Sequence, residues 1–167
     1  MTRMMAVVAV CAVCAVCAGP SMVAVASASA QEAACQPLYA AARKAQTQAG
    51  IERTAVMGDP AKPSMTMTAR KTATGWVMRR DAGGWQAMPI DPEVQERGML
   101  DTGTAFSKCA AGATESVGGE AARVWTYETA ATPSTIWISV ARGLPLKVQA
   151  QGVLQTSVYQ ATPFPKP

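Results

Sequence analysis

Histidine is absent from this chain. That removes the Ser-His-Asp and Cys-His catalytic arrangements and every imidazole metal site. Charge is also sparse, with 15 Lys and Arg against 11 Asp and Glu. The basic residues are scattered, Arg70-Lys71 and Arg79-Arg80 being the densest pairs. Nucleic-acid binding needs a concentrated basic stripe with aromatics beside it, so these charges read as a solvated surface and no nucleic-acid partner is expected. The glycine pair Gly118-Gly119 lacks the Lys and Ser/Thr of a phosphate loop and reads as a turn. Glu93, Glu96, Glu115, Glu120 and Glu128 show no spacing that singles out two carboxylates for glycoside chemistry. No cofactor and no metal site are expected.

What is present is concentrated at the start. Arg3 precedes an Ala/Val/Cys stretch from Ala6 to Ala18, then Gly19-Pro20, and a small-residue exit at Ala28-Ser29-Ala30. This is the layout of a secretory signal peptide over residues 1–30, with cleavage expected after Ala30 and a periplasmic destination. An uncleaved anchor is the competing reading, because Met4 to Ala30 holds no charge and about 20 apolar residues span a bilayer. Against it, the dense apolar part stops at Gly19-Pro20 and the remainder is mostly Ala and Ser. A lipidated cysteine normally follows a small residue, whereas Val10, Val13 and Val16 precede Cys11, Cys14 and Cys17. Membrane contact is therefore expected only through the signal before cleavage.

Gln31 to Pro167 then suits one domain with one core. Its two cysteines, Cys35 and Cys109, form no C-x-x-C and have no further thiol or imidazole for zinc. In an oxidising space they are expected to form one disulfide, closing a loop of about 75 residues worth at most about 4.5 kcal/mol of chain entropy.

Glu32 to Ala49 reads as a helix, with Cys35, Leu38, Ala42, Ala45 and Ala49 on one narrow stripe, Pro37 in the first turn and Gly50 as the stop. From Ile51 the period changes to two. Met65 to Arg70 alternates. Trp76–Arg80 and Trp85–Met88 flank the turn Asp81-Ala82-Gly83-Gly84. Pro89 to Gly103 reads as a loop with a short helix around Pro92–Arg97. Arg123–Thr129 and Thr135–Val140 flank a turn at Thr132-Pro133-Ser134. A long last strand puts Leu146, Val148, Ala150, Leu154, Thr156 and Val158 on one face, with Gly152 as a bend or bulge. Pro163, Pro165 and Pro167 read as an unstructured tail over 161–167. One helix and about seven antiparallel strands make an α+β fold, a curved antiparallel sheet packed against the N-terminal helix.

Leu100-Asp101-Thr102-Gly103 carries the Asp-Thr-Gly triplet of aspartic proteases, whose chemistry needs two carboxylates sharing a proton. The triplet is equally an ordinary turn, no later apolar-apolar-Gly element follows it, and an Asp101 hydrolase is the minor reading. Met65, Met67, Met78, Met88, Trp76, Trp85, Trp125 and Trp137 all lie in or beside strands. Packing in a core accounts for such residues. The functional alternative is an adaptable ligand-binding cavity between sheet and helix, which an alanine-striped helix would leave underfilled.

Trp137-Ile138-Ser139 followed by Gly143-Leu144-Pro145-Leu146-Lys147 resembles the periplasmic half-barrel proteins of the lipoprotein-carrier type, LolA-like, with the related sigma-factor regulators of the RseB kind. Gly84-Trp85, Glu115 to Gly119 and the strand to Tyr127 fit the same plan. The resemblance implies a curled sheet closed over by helices, with an apolar concavity for acyl chains or a partner peptide. The chain is shorter than the full carriers and offers few candidates for lid helices. The expected function is a non-enzymatic exported binding protein, over residues 31–160, that holds an apolar ligand, lipid or lipidated partner. The alternative is an envelope protein–protein interaction or sensory module.

Overall fold

The computed structural model describes residues 20–166, so the segment Met1 to Gly19 that carries most of the expected signal lies outside the described residues. Two helices and nine strands follow one another: α1 (Pro20–Gln46), β1 (Gly50–Asp59), β2 (Lys62–Thr72), β3 (Gly75–Arg80), β4 (Gln86–Ala87), α2 (Pro92–Asp101), β5 (Ser107–Val117), β6 (Glu120–Thr129), β7 (Thr132–Ser139), β8 (Pro145–Ala150) and β9 (Val153–Gln160). The strands form one antiparallel sheet in the order β4-β3-β2-β1-β9-β8-β7-β6-β5. Every neighbour in it is a sequence neighbour except β1 and β9, whose pairing from Gly50↔Gln160 to Met57↔Val153 joins the two halves. The fold is an α+β half-barrel, an open curved sheet with helices on its concave side.

Helix α1 is longer at its start than the spacing predicts. Between Pro20 and Pro37 the chain is mostly Ala, Ser and Val with no breaker, so the helix extends back to Pro20 and Pro37 falls inside it rather than in its first turn. It also stops earlier. Thr47 and Gln48 side chains donate to the carbonyl of Lys44, at 2.8 and 3.1 Å, and end the helix at Gln46. Gly50 is therefore not the helix stop but the first residue of β1. A Cβ there would lie 2.2 Å from the Thr162 carbonyl oxygen, so the chain crossing above it requires glycine. Among the described residues no helix is long and apolar enough to cross a membrane.

Leu38 and Ala41 of α1 pack on Tyr127 of β6 and on Ile136 and Ile138 of β7. Phe106 bridges helix and sheet, with edge-to-face contacts to Tyr39 at 5.0 Å and Tyr127 at 5.1 Å between ring centres. Cys35 and Cys109 are disulfide-bonded with Cα atoms 5.1 Å apart, pinning α1 to β5. Tyr39, Leu100 and Ala105 pack around that bond and tie in the end of α2.

Two hairpins depart from the sequence reading. The long last strand is two strands, β8 and β9, joined by Gln151 (φ 47°) and Gly152 (φ 72°). Both central residues are left-handed, as a tight two-residue hairpin turn requires, so Gly152 makes a reversal and not a bulge. The reversal also corrects the faces. Val148 sits opposite Gln155, and Gln149 opposite Leu154, so the apolar set of β8 does not continue onto that of β9. Likewise the β6–β7 turn falls at Ala130 and Ala131, both at positive φ, and Thr132-Pro133-Ser134 begins β7. In the tail, Phe164 N–H donates to Lys71 O at 3.1 Å and Phe164 bridges Thr72, so the Pro-rich end lies along β2 where the composition suggests an unstructured segment.

Candidate functional site

The short helix expected around Pro92–Arg97 runs on to Asp101, and it supplies the second wall of a cavity. Asp91 caps it, its carboxylate accepting from Glu93 N–H at 2.8 Å, and Pro92 follows in the first turn, where a proline is tolerated. Two carboxylates on this helix reach the concave face of the sheet. Glu93, itself buried, takes both its bonds from Lys71 Nζ of β2, at 2.8 and 2.9 Å. Glu96 takes two from the Arg53 guanidinium of β1, one of them at 3.0 Å. Arg43 of α1 donates to Leu100 O at 3.3 Å. Helix α2 is thus stitched to β1, β2 and α1 and lies across the concavity as a cover.

Beneath it is a cavity of about 190 Å³ between α1, α2 and the concave faces of β1 and β6–β9. Ala42 and Ala45 form its α1 wall, and their small side chains leave the space open. Leu100, Phe106, Ile136 and Val148 make the apolar floor and sides. A polar strip comes from β9, where Gln155, Ser157 and Tyr159 alternate onto the concave face opposite Ala55, Arg53 and Ile51. Tyr159 donates to Pro145 O at 2.7 Å, and burial pushes its hydroxyl pKa up, so it stays a neutral donor. Tyr127 is pushed up by burial in the same way. Burial alone would lower the Arg53 pKa, but the Glu96 carboxylate outweighs it and holds the guanidinium charged. The cavity is an apolar chamber with a charged latch at its mouth.

None of the eight residues read from the sequence as ligand-binding lines this chamber. The register places Met65 opposite Met57, Met67 opposite Ala55 and Met78 opposite Ala69, all on the concave face, and Trp76 opposite Lys71, buried beside Arg53 where the two ion pairs hold α2. Met88 follows β4, its N–H on Trp76 O at 2.9 Å. Trp125 lies opposite Ile136 and packs against the α1 core. Trp85 and Trp137 are on the convex face. Trp85 is stacked under Arg70 and Arg79, at 4.7 and 4.9 Å. Trp137 packs on Ala122 and Leu146, its indole N–H donating to Glu115 at 2.7 Å. Alternation alone does not say which face of a strand is concave, so the sequence assigns neither of these two to a face. The chamber residues that sequence reasoning missed, Phe106, Tyr127, Ile136 and Tyr159, come from separate elements. The alanine stripe was the one signal that pointed there, through Ala42 and Ala45.

Asp101 is exposed, and its triplet has a structural role at the end of α2. Thr102 Oγ1 donates to Gly98 O at 3.0 Å and Gly103 turns the chain at φ 69°.

No family model matches the sequence, and neither does any curated protein. Solved structures do match the fold. LppX, a lipoprotein of Mycobacterium tuberculosis, superposes with a TM-score of 0.54 at 11% identity, over 81% of this chain and 97% of that one. LprF from Mycobacterium bovis gives 0.55 at 10% identity, over 81% and 96%. MucB, solved in complex with MucA(peri), gives 0.48 at 12% identity, over 78% of this chain and 57% of that one. The first two likenesses show that the chain has the half-barrel, LolA-like fold of LppX and LprF.

Proposed function

We propose that this is an exported, non-enzymatic binding protein that holds the apolar part of a lipid or of a lipidated partner between its sheet and its two helices. The observation that carries the reading is the largely apolar chamber under α2, walled by alanines on one side and bordered by the Arg53–Glu96 ion pair on the other. Alanines facing Ile136 and Val148 forgo several methylenes of burial, each worth about 0.8 kcal/mol, and such a gap is costly unless something fills it. At about 190 Å³ the chamber is close in size to engineered cavities of about 150 Å³ that accept benzene and is below the roughly 300 Å³ of drug-sized sites. A whole acyl chain therefore requires α2 to lift, and its attachments are suited to that. They are two ion pairs and one carbonyl bond along the helix, with apolar packing concentrated at Leu100 at its C-terminal end, which can serve as the hinge. Export is supported by the signal-like start and by the Cys35–Cys109 bond, which needs an oxidising compartment to persist.

The test is displacement of a fluorescent fatty acid from the purified protein, with Ala45→Phe as the blocked variant. Saturable binding that Ala45→Phe abolishes supports the reading. Wild-type and variant proteins that both fail to bind, or that bind alike, overturn it.

A further inference from the structure

Beyond α2, on the uncovered part of the concave sheet, lies a second feature that the chamber does not use. From Ala55 to Met57 on β1, from Met65 to Ala69 on β2 and at Met78 on β3, every concave-facing apolar side chain larger than alanine is methionine. Met57 and Met65 are directly opposite, which puts their Cβ atoms roughly 5 Å apart. Met67 is two residues along the same face, diagonal to Met57, and Met78 of the next strand is diagonal to Met67. All four are half-buried. Ala55 and Ala69 lie between them and leave room above the sheet. Helix α1 packs on the far half, against β5 and β8. Strand surfaces that only need to be apolar favour Val, Ile and aromatics, and a run of flexible methionines is a poor choice for packing alone.

We propose that Met57, Met65 and Met67, with Met78 at the side, form a thioether site for a soft monovalent metal cation, copper(I) in chemical class. Thioether sulfur is a soft ligand that selects copper(I) over the hard divalent cations. Three flexible side chains rooted roughly 5–8 Å apart on one hairpin are long enough to turn their sulfurs to a common point. Their partial burial removes part of the competing water while leaving an entry path. Harder ligands are not gathered nearby. Among the described residues no cluster of three His, Cys, Asp or Glu is placed to hold a metal. Cys35 and Cys109, the two cysteines of the described residues, are bonded to each other. Arg80, opposite Met67, is largely exposed beside Asp81 and does not fill the space. Binding is ligation without electron transfer, so no redox partner is needed.

Silver(I) is the probe, because it shares the softness of copper(I) and needs no reductant. The protein is the full chain with Cys11→Ser, Cys14→Ser and Cys17→Ser, so that no thiol competes. One equivalent of silver(I) is expected to shift the ε-methyl carbon resonances of Met57, Met65 and Met67 and to leave Met99, on α2, unmoved. Met57→Leu/Met65→Leu/Met67→Leu keeps the volume and apolarity of the patch, and is expected to weaken silver(I) binding at least tenfold while fatty-acid binding in the chamber stays as it was. The single variant Met65→Leu, expected to weaken it several-fold, carries the test should the triple variant fold poorly. Equal shifts at all methionines including Met99, or an affinity that the leucine variants leave unchanged, overturns the site.

Discussion

Arg53 of β1 and Glu96 of α2 meet through two parallel N–H···O bonds at the mouth of the chamber, and the guanidinium also lies 5.3 Å from the centre of the Trp76 ring. The arginine is the more buried partner, at 15% side-chain exposure against 35% for the glutamate. Loss of Glu96 therefore strands a charge inside the fold, whereas loss of Arg53 leaves a carboxylate that can turn to water. Glu96→Gln is predicted to cost about 1–3 kcal/mol, below the figure for a fully buried pair because Glu96 is partly solvated. Amide exchange in α2 should accelerate with little change in β6 and β7. A double-mutant cycle with Arg53→Met measures the coupling, and a value near zero would remove the latch from the account.

The Cys35–Cys109 bond closes 74 residues and joins α1 to β5, the edge strand of the sheet. Its entropic contribution is bounded at about 4.5 kcal/mol. Cys35→Ala/Cys109→Ala is predicted to lower the unfolding free energy by about 2–4 kcal/mol, which is a large part of the stability of a domain this size. Urea denaturation of the two proteins side by side gives the number. Equal midpoints would show that the helix is held by packing alone.

The β6–β7 turn holds two alanines in the left-handed region, Ala130 at φ 47° and Ala131 at φ 63°. Each pays about 1 kcal/mol or more for a conformation that asparagine and glycine adopt readily. Ala130→Asn/Ala131→Gly is therefore predicted to stabilise the protein by roughly 1–2 kcal/mol, read as a higher melting temperature. A lower melting temperature would mean that the turn is not of this type.

That turn also shows what is legible in a sequence. Asp81-Ala82-Gly83-Gly84 announces a hairpin and Pro92 lies at the start of the short helix expected there, and both are found, with Asp91 as the helix cap. Ala130-Ala131 carries no such sign, because the pairing of eight residues on either side imposes the turn on it. Gln151-Gly152 misleads for a related reason. Alternation runs straight through it, and a reversal flips the faces without breaking the pattern. Strand β5 was invisible because, as an exposed edge rich in Ala, Gly and Thr, it buries almost nothing on either face. The chamber was hardest to see, since its walls come from both helices and five strands and no linear pattern adds them together.

Glu120 accepts bonds from Arg142, at 2.9 Å from Nε, and from the Ser139 hydroxyl, and these hold its pKa below the ordinary 4.5. The folded protein therefore binds this proton less tightly than the unfolded chain does. The stabilisation is complete above 4.5 and is lost as the pH falls through the lower folded value. Glu120→Gln is predicted to flatten the fall in stability below pH 4.5 relative to wild type, measured by urea midpoints across that range. Parallel curves for the two proteins would contradict it.

The central claim is that the chamber under α2 receives an apolar chain, and native mass spectrometry of the protein recovered after export tests it most directly. The account predicts a population carrying an added mass in the lipid range, stripped by organic extraction and missing from Ala45→Phe. A bare polypeptide mass in both proteins, with no adduct formed on incubation with fatty acid, would contradict it.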